Sequence, residues 1–181
     1  MLHACERELA WLDMSINLSK SCCLRVGPRC DVKNCISVTS VTSLSGHCLL
    51  WVAKMRYLGI YIDCSKSMKC SLDECKKKFY RAANGIFGMI GRTVSEEVIL
   101  KLISSKCIPI LLYGLESLSL YKYQLNSLDF TVNRFFRKLF RTTDMRTVAT
   151  LQDTFGFALP SVWIARRTDK FIKELTGHAL S

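Results

Sequence analysis

The spacing of apolar residues changes along the chain near Asp63. Before this point, short runs rich in apolar and β-branched residues, interleaved with Ser and Thr, are typical of strands. After it, apolar residues recur every three or four positions, which is typical of amphipathic helices. This order predicts an α+β fold: a short N-terminal helix and a small antiparallel β-hairpin or sheet, followed by an all-α helical bundle. We place the division between residues 1–63 and residues 64–181.

The individual elements follow from the same periodicities. A helix is predicted over residues 2–14, and strands over 21–26, 36–41, 49–52 and 56–62. The middle two strands form a hairpin around the turn pair Ser45-Gly46. Helices are predicted at residues 72–90, from Ser95, at 124–141, at 145–155 and at 161–176. Pro109 breaks or restarts the helical pattern between the second and third of these.

Charge is distributed unevenly along the chain. The 26 Lys and Arg residues exceed the 15 Asp and Glu residues by 11. Residues 1–64 contribute +2 (7 basic, 5 acidic), and residues 65–181 contribute +9 (19 basic, 10 acidic). A basic C-terminal region suggests a polyanionic partner, most simply nucleic acid, although solvated helix faces account for it equally well. The longest apolar run, residues 108–112, is too short for a bilayer span, so no membrane association is expected.

Metal and cofactor chemistry has little support in the sequence. None of the ten cysteines forms a CxxC pair, and the three histidines are scattered. We therefore expect no metal site, and we expect reduced cysteines that pack as small apolar residues. The eight aspartates stand singly, whereas two-metal nucleotidyl transfer needs carboxylates that converge on one point. The residues alone thus predict no self-contained enzyme.

Two basic clusters are the candidate functional features. In residues 125–141, apolar side chains occupy one predicted helix face, and Arg134, Arg137, Lys138 and Arg141 occupy another. The second cluster consists of Lys76, Lys77, Lys78 and Arg81. A cationic stripe on a rigid helix can neutralise successive phosphates, but it can equally be a solvated face. The helical spacing favours a core position for the aromatic residues of the 125–141 segment over the alternative, a platform on which bases stack.

Several phrases, taken in order, resemble the C-terminal part of the reverse transcriptase of non-LTR (LINE-type) retrotransposons. They are residues 5–9, 11–14, 16–21, 56–59, 79–84, 105–116 and 127–130. The match runs in register over essentially the whole chain and is closest to transposable elements of invertebrate genomes. Each phrase alone is weakly diagnostic, and the ordered set carries the resemblance.

The resemblance implies roles for individual positions. Lys20 corresponds to the lysine of polymerase motif D, the possible general acid of an intact enzyme. Tyr57, Leu58 and Gly59 correspond to motif E, the primer grip. Residues 1–63 correspond to the C-terminal end of the palm. The helices from Ser71 onward correspond to the thumb and connection, which would hold a primer–template duplex by its backbone. The fragment would occur inside the cell, in the cytoplasm or nucleus, with RNA–DNA or DNA duplex and the rest of a reverse transcriptase as partners.

The family's aspartate motifs are expected upstream of this segment. Mg²⁺ is therefore expected only for the intact RNA-directed DNA polymerase, with no cofactor in this chain, and the fragment is expected to be inactive alone. Two other interpretations remain open. The chain could be a small helical protein-interaction module, or a non-functional genomic remnant.

Overall fold

The computed structural model describes residues 1–28, 30, 40–90 and 93–178. The chain forms two compact units, Met1–Ser71 and Leu72–Ser181. The first contains a short helix and small sheets, and the second is helical, so the predicted α+β class is confirmed. The boundary falls at Ser71 rather than at Asp63, because a short strand after Asp63 pairs back onto the strand before it.

The first unit begins with helix α1, Leu2–Trp11, and contains two three-stranded sheets. Its strands are β1 Cys22–Cys23, β2 Val41–Thr42, β3 Cys48–Trp51, β4 Lys54–Tyr57, β5 Ile60–Asp63 and β6 Lys69–Cys70. In the first sheet, β3 pairs antiparallel with β2 and parallel with β1. The hairpin around Ser45-Gly46 is confirmed over residues 41–51; the part of the prediction at residues 36–39 lies outside the described residues.

The second sheet is antiparallel, in the order β4-β5-β6. The single strand predicted over residues 56–62 is wrong, because the chain reverses direction between Tyr57 and Ile60, which pair with each other. Leu58 and Gly59 form the connecting turn with φ angles of 47° and 87°. Two central residues with positive φ define a type I′ turn, whose twist matches that of the strands it joins. The usual Asn-Gly signal for this turn is missing, which explains the wrong prediction.

The second unit consists of helices. Their bounds are α2 Asp73–Ile90, α3 Glu96–Leu102, α4 Ile108–Leu112, α5 Lys122–Leu139, α6 Met145–Thr154 and α7 Pro160–His178. A π-helical segment, Ile103–Cys107, joins α3 to α4, so the chain stays helical up to Pro109. Pro109 directly follows this π-helical segment, where the regular i→i−4 hydrogen-bond pattern is already interrupted, so its missing N–H removes no regular α-helical bond.

The core of the second unit matches the apolar stripes predicted from the sequence. Leu128, Val132, Phe135, Phe136 and Leu139 are buried on α5, as Phe79 and Ala83 are on α2. Phe79 meets Phe135 edge to face, with ring centroids 6.4 Å apart. This contact joins α2 to α5 and thereby sets the position of the polar residues on their outer sides.

Among the described cysteines, six are free: Cys5, Cys22, Cys23, Cys48, Cys75 and Cys107. Burial raises the pKa of the Cys75 and Cys107 thiols. Both therefore stay protonated at neutral pH and act as packing residues rather than nucleophiles. Cys64, in contrast, is disulfide-bonded, so the expectation of fully reduced cysteines is wrong at this position.

Asp144 caps the N-terminus of α6. Its carboxylate accepts hydrogen bonds from Thr147 Oγ1 at 2.8 Å and from the backbone amides of Arg146 and Thr147, each at 3.1 Å. These bonds, that from the Thr147 hydroxyl above all, hold the pKa of Asp144 below its usual 3.8. A depressed folded-state pKa stabilises the fold above the unfolded value, and this stabilisation is lost as pH falls through the folded value.

We therefore expect Asp144→Ala to lower the free energy of unfolding by a constant amount above about pH 5 and by progressively less below about pH 4. Urea titrations across that range measure the difference. Asp144→Asn keeps a side-chain acceptor for the amides and should show no such pH dependence relative to Asp144→Ala. A difference between wild type and Asp144→Ala that does not change with pH would contradict the ionised cap.

Candidate nucleic-acid interface

Helices α2 and α5 run side by side in the same direction. Residues further along α2 meet residues further along α5, as in parallel helices. The contacts are Lys76 Nζ donating to Ser127 Oγ at 2.5 Å, the Arg134 guanidinium over the Tyr80 ring at 5.8 Å, and Lys138 Nζ donating to Asn84 Oδ1 at 2.8 Å. Basic residues predicted on separate helices therefore lie along one shared seam.

Aromatic rings support two of these cations. The Tyr80 ring lies under Arg134, and the Phe87 ring lies 5.1 Å from Lys138 Nζ. Both rings are half-buried, while Arg134 and Lys138 are exposed. A cation–aromatic contact restricts the long side chain and still leaves its charge at the surface. The positive charges of Arg134 and Lys138 are thus held in defined positions at the surface.

Further predicted cations extend the seam. Arg81 is exposed on α2, but it lies about 140° around the helix from Lys76 and therefore outside the seam. Arg137 is half-buried, and Arg141 is exposed just beyond the C-terminal end of α5. We use the name basic face for one set of side chains: Lys76, Arg134, Arg137, Lys138 and Arg141. At a rise of about 1.5 Å per residue, Arg134 and Lys138 lie about 6 Å apart along the axis of α5, with Arg137 between them.

The other two lysines of the predicted α2 cluster do not belong to this face. Lys77 forms an ion pair with Glu74 one turn earlier, with an Nζ–Oε1 distance of 2.9 Å. Lys78 is exposed, but at 3.6 residues per turn it lies about 160° around α2 from Lys76. It therefore sits on the flank of α2 that points away from α5.

The one acidic residue of α5 is directed elsewhere. Asp129 Oδ1 accepts a hydrogen bond from the backbone amide of Ser161, at the start of α7, at 2.9 Å. Asp129 is half-buried in that contact. The outer side of α5 consequently presents positive charge without a carboxylate of its own helix to neutralise it.

Arg141 adopts a backbone conformation that favours glycine. Its φ is 52°, and it follows Phe140, the C-cap residue of α5. The next amide, that of Thr142, donates to the Arg137 carbonyl at 3.2 Å, as in a Schellman motif. A left-handed conformation costs a non-glycine residue roughly 1 kcal/mol, so Arg141 lowers stability at this helix end.

We expect Arg141→Gly to raise the free energy of unfolding by up to about 1 kcal/mol. The same variant should bind nucleic acid several-fold more weakly, because it removes one cation of the basic face. Thermal melts and binding titrations measure the two effects, and Arg141→Lys, which keeps the charge and the strain, is the control. A loss of stability in Arg141→Gly would contradict the strain argument.

The primer-grip candidates lie at the tip of the β4–β5 hairpin in the first unit. Tyr57 ends β4, and Leu58 and Gly59 form its turn. Tyr57 is 58% exposed and Leu58 is 73% exposed. Leu58 thus combines a left-handed backbone with an exposed apolar side chain, both unfavourable for an isolated fold. Such local strain is typical of positions used for contact with a ligand or partner.

Lys20 lies in an exposed turn before β1. Its backbone amide donates to Asn17 Oδ1 at 3.2 Å, and its side chain is accessible. In the described part of the chain, no three His, Cys, Asp or Glu side chains come together to hold a metal ion. No described helix combines the length and apolarity needed to cross a membrane.

Two aromatic residues of α5 are exposed against expectation: sequence reasoning overlooked Tyr123, and its assignment of the aromatic residues of the 125–141 segment to the core is wrong for Phe130. Both lie on its solvent side, whereas Phe135 and Phe136 were correctly assigned to the core. A helical-wheel projection could have found them, since at 100° per residue they fall on the same side as Arg134 and Arg137. The cation–aromatic contacts with Tyr80 and Phe87 could not have been found in this way, because they depend on the packing of α2 against α5.

Comparison with known proteins gives no match: no family model, no curated protein and no solved structure resembles this chain closely enough to be matched to it.

Proposed function

We propose that this chain is the palm-end and thumb segment of a reverse transcriptase of the non-LTR retrotransposon type, and that its second unit binds nucleic acid through the basic face. One observation carries the binding proposal. Cations from α2 and α5 meet along one seam, and two of them are stacked on aromatic rings with their charges directed to solvent.

The electrostatics of the basic face suit a phosphate backbone. Each phosphate that a Lys or Arg neutralises releases condensed counterions, so a row of fixed cations gains affinity without reading bases. Arginine also donates in a fork geometry that matches phosphate oxygens. Such contacts position a nucleic acid but do not specify its sequence, which is what a thumb that follows a moving primer–template duplex requires.

In this proposal the β4–β5 hairpin tip contacts the primer strand. Leu58 offers an exposed apolar side chain, and Gly59, without a Cβ, lets a strand approach the backbone closely. Lys20 would act as a proton donor only beside a complete polymerase site, which needs paired carboxylates and Mg²⁺. We accordingly propose that the chain alone does not polymerise.

Fluorescence anisotropy with a labelled 20-base-pair RNA–DNA duplex tests the proposal. We expect saturable binding at low salt that weakens steeply as salt is added. A primer-extension assay with Mg²⁺ on the purified chain should show no incorporation. The absence of any duplex binding would contradict the thumb assignment, and robust incorporation would contradict the proposed inactivity.

One observation favours the alternative, a protein-interaction module. Helix α1 has no buried residue, and Trp11 at its C-terminal end is 82% exposed. Association through such a surface would be insensitive to salt, unlike association through the basic face. Trp11→Ala should leave duplex binding unchanged and should reduce binding to a protein partner only if this alternative is correct.

A further inference from the structure

The outer side of α5 carries aromatic side chains in line with its cations. Tyr123 is 63% exposed and Phe130 is 56% exposed. At 100° per residue, Tyr123 lies about 20° and Phe130 about 40° from Arg134 around the helix, and Arg137 lies about 20° beyond Phe130. The stripe runs from two rings in the N-terminal half of α5 to the arginines of its C-terminal half.

Core packing does not account for these rings. The core side of α5 is occupied by Leu128, Val132, Phe135, Phe136 and Leu139. Tyr123 instead stacks on Tyr121, with ring centroids 5.8 Å apart and planes 14° from parallel. Tyr121 is itself 47% exposed, so the pair presents a flat aromatic surface at the N-terminal end of α5.

Exposed aromatic faces interleaved with cations have a particular ligand chemistry. Bases stack on aromatic rings without regard to sequence, because every base has a π-face, while the cations follow the phosphates. In a duplex the bases already stack on one another, so no base face is available to stack on an aromatic ring of the protein. Unpaired bases, in contrast, are free to occupy such positions.

We propose that the outer side of α5 binds single-stranded nucleic acid, with unpaired bases stacked on Tyr123 and Phe130 and the backbone on Arg134, Arg137 and Arg141. This proposal rests on the proposed function, because the arginines belong to the same basic face. It adds a second class of ligand: the outer side of α5 binds an unpaired nucleic-acid segment in addition to the backbone of a duplex. The rings stand seven residues apart, about 10 Å along the helix, so a short unpaired stretch spans them.

Competition between matched oligonucleotides tests the proposal. Binding of a 20-nucleotide single strand and of the blunt duplex of the same sequence is measured for wild type, Tyr123→Ala and Phe130→Ala. We expect each variant to lose on the order of tenfold in affinity for the single strand and less than about twofold for the duplex. Tyr123→Phe keeps the ring and should bind both as wild type does.

Two further variants complete the test. Tyr113→Ala removes an aromatic residue that is also exposed, at the end of α4, and should change neither affinity. In Phe130→Trp, the new indole should be quenched by the single strand and not by the blunt duplex.

The possible failures are distinguishable. Equal losses for single strand and duplex, or no loss with either ring variant, would overturn the stacking proposal while leaving duplex binding intact. If wild type binds neither oligonucleotide, the proposed function fails and the stacking proposal fails with it. Unchanged thermal melts for Tyr123→Ala and Phe130→Ala would assign any loss to binding rather than to folding.

Discussion

Phe136→Ala should lower the free energy of unfolding of the second unit by about 3–5 kcal/mol. Phe136 is fully buried on α5, where it meets Phe157 edge to face at 5.0 Å and stacks against Phe140 at 5.9 Å. Truncation removes the transfer energy of the ring and leaves a cavity between α5 and the residues after α6. Urea denaturation followed by far-ultraviolet circular dichroism measures the change, since this unit is helical.

Phe130→Ala is the matched control for this prediction. It removes the same side chain from the same helix, six positions earlier, where the ring is mostly exposed. We expect its effect on stability to stay within about 0.5 kcal/mol. Similar losses of stability for Phe130→Ala and Phe136→Ala would contradict the structure, in which Phe136 is buried in the core and Phe130 is exposed.

The second large effect concerns charge. The triple variant Arg134→Gln/Arg137→Gln/Lys138→Gln should lower the affinity for an RNA–DNA duplex on the order of 100-fold at low salt. Three fewer cations release fewer counterions from the duplex on binding, and glutamine keeps much of the side-chain volume. Anisotropy titrations of variant and wild type in the same buffer measure the loss.

A variant of equal charge is the control. Lys101→Gln/Lys106→Gln/Lys170→Gln also removes three positive charges, from exposed positions on α3, the π-helical segment and α7. If the basic face is the binding surface, this variant should lose far less affinity, although it removes the same charge and also the ion pairs of Lys101 with Glu97 and of Lys170 with Glu174. Equal losses for the two triple variants would mean that overall charge, and not a particular surface, governs binding.

Much of the fold could be predicted because it depends on local periodicity. The apolar spacing within residues 124–141 identified the buried side of α5, including Leu128, Val132 and Phe136. The reversal at Leu58-Gly59 could not be predicted, because Leu is unusual at a positive φ and the run from Arg56 to Ile62 is typical of one strand. The pairing of β6 with β5 extends the first unit to Ser71. It could not be predicted, because β6 is too short to show the alternation of apolar and polar residues that indicates a strand.

The candidate site was predicted in its parts but not in its arrangement. Sequence pattern proposed both basic clusters, yet it could not tell that Lys76 and Lys138 meet partners across a parallel pair of helices while Lys78 faces away. Those facts depend on which side of α2 packs against α5, and that is decided by tertiary contacts such as Phe79 with Phe135. Periodicity within one helix carries no information about its neighbour.

The salt dependence of duplex affinity tests the central claim most directly. For wild type, the logarithm of the association constant should fall linearly with the logarithm of salt concentration, with a slope of about −4 to −5 if most cations of the basic face contact phosphates. For Arg134→Gln/Arg137→Gln/Lys138→Gln, the slope should become shallower by about two to three. A wild-type slope near zero, or equal slopes for wild type and this variant, would contradict binding through the basic face.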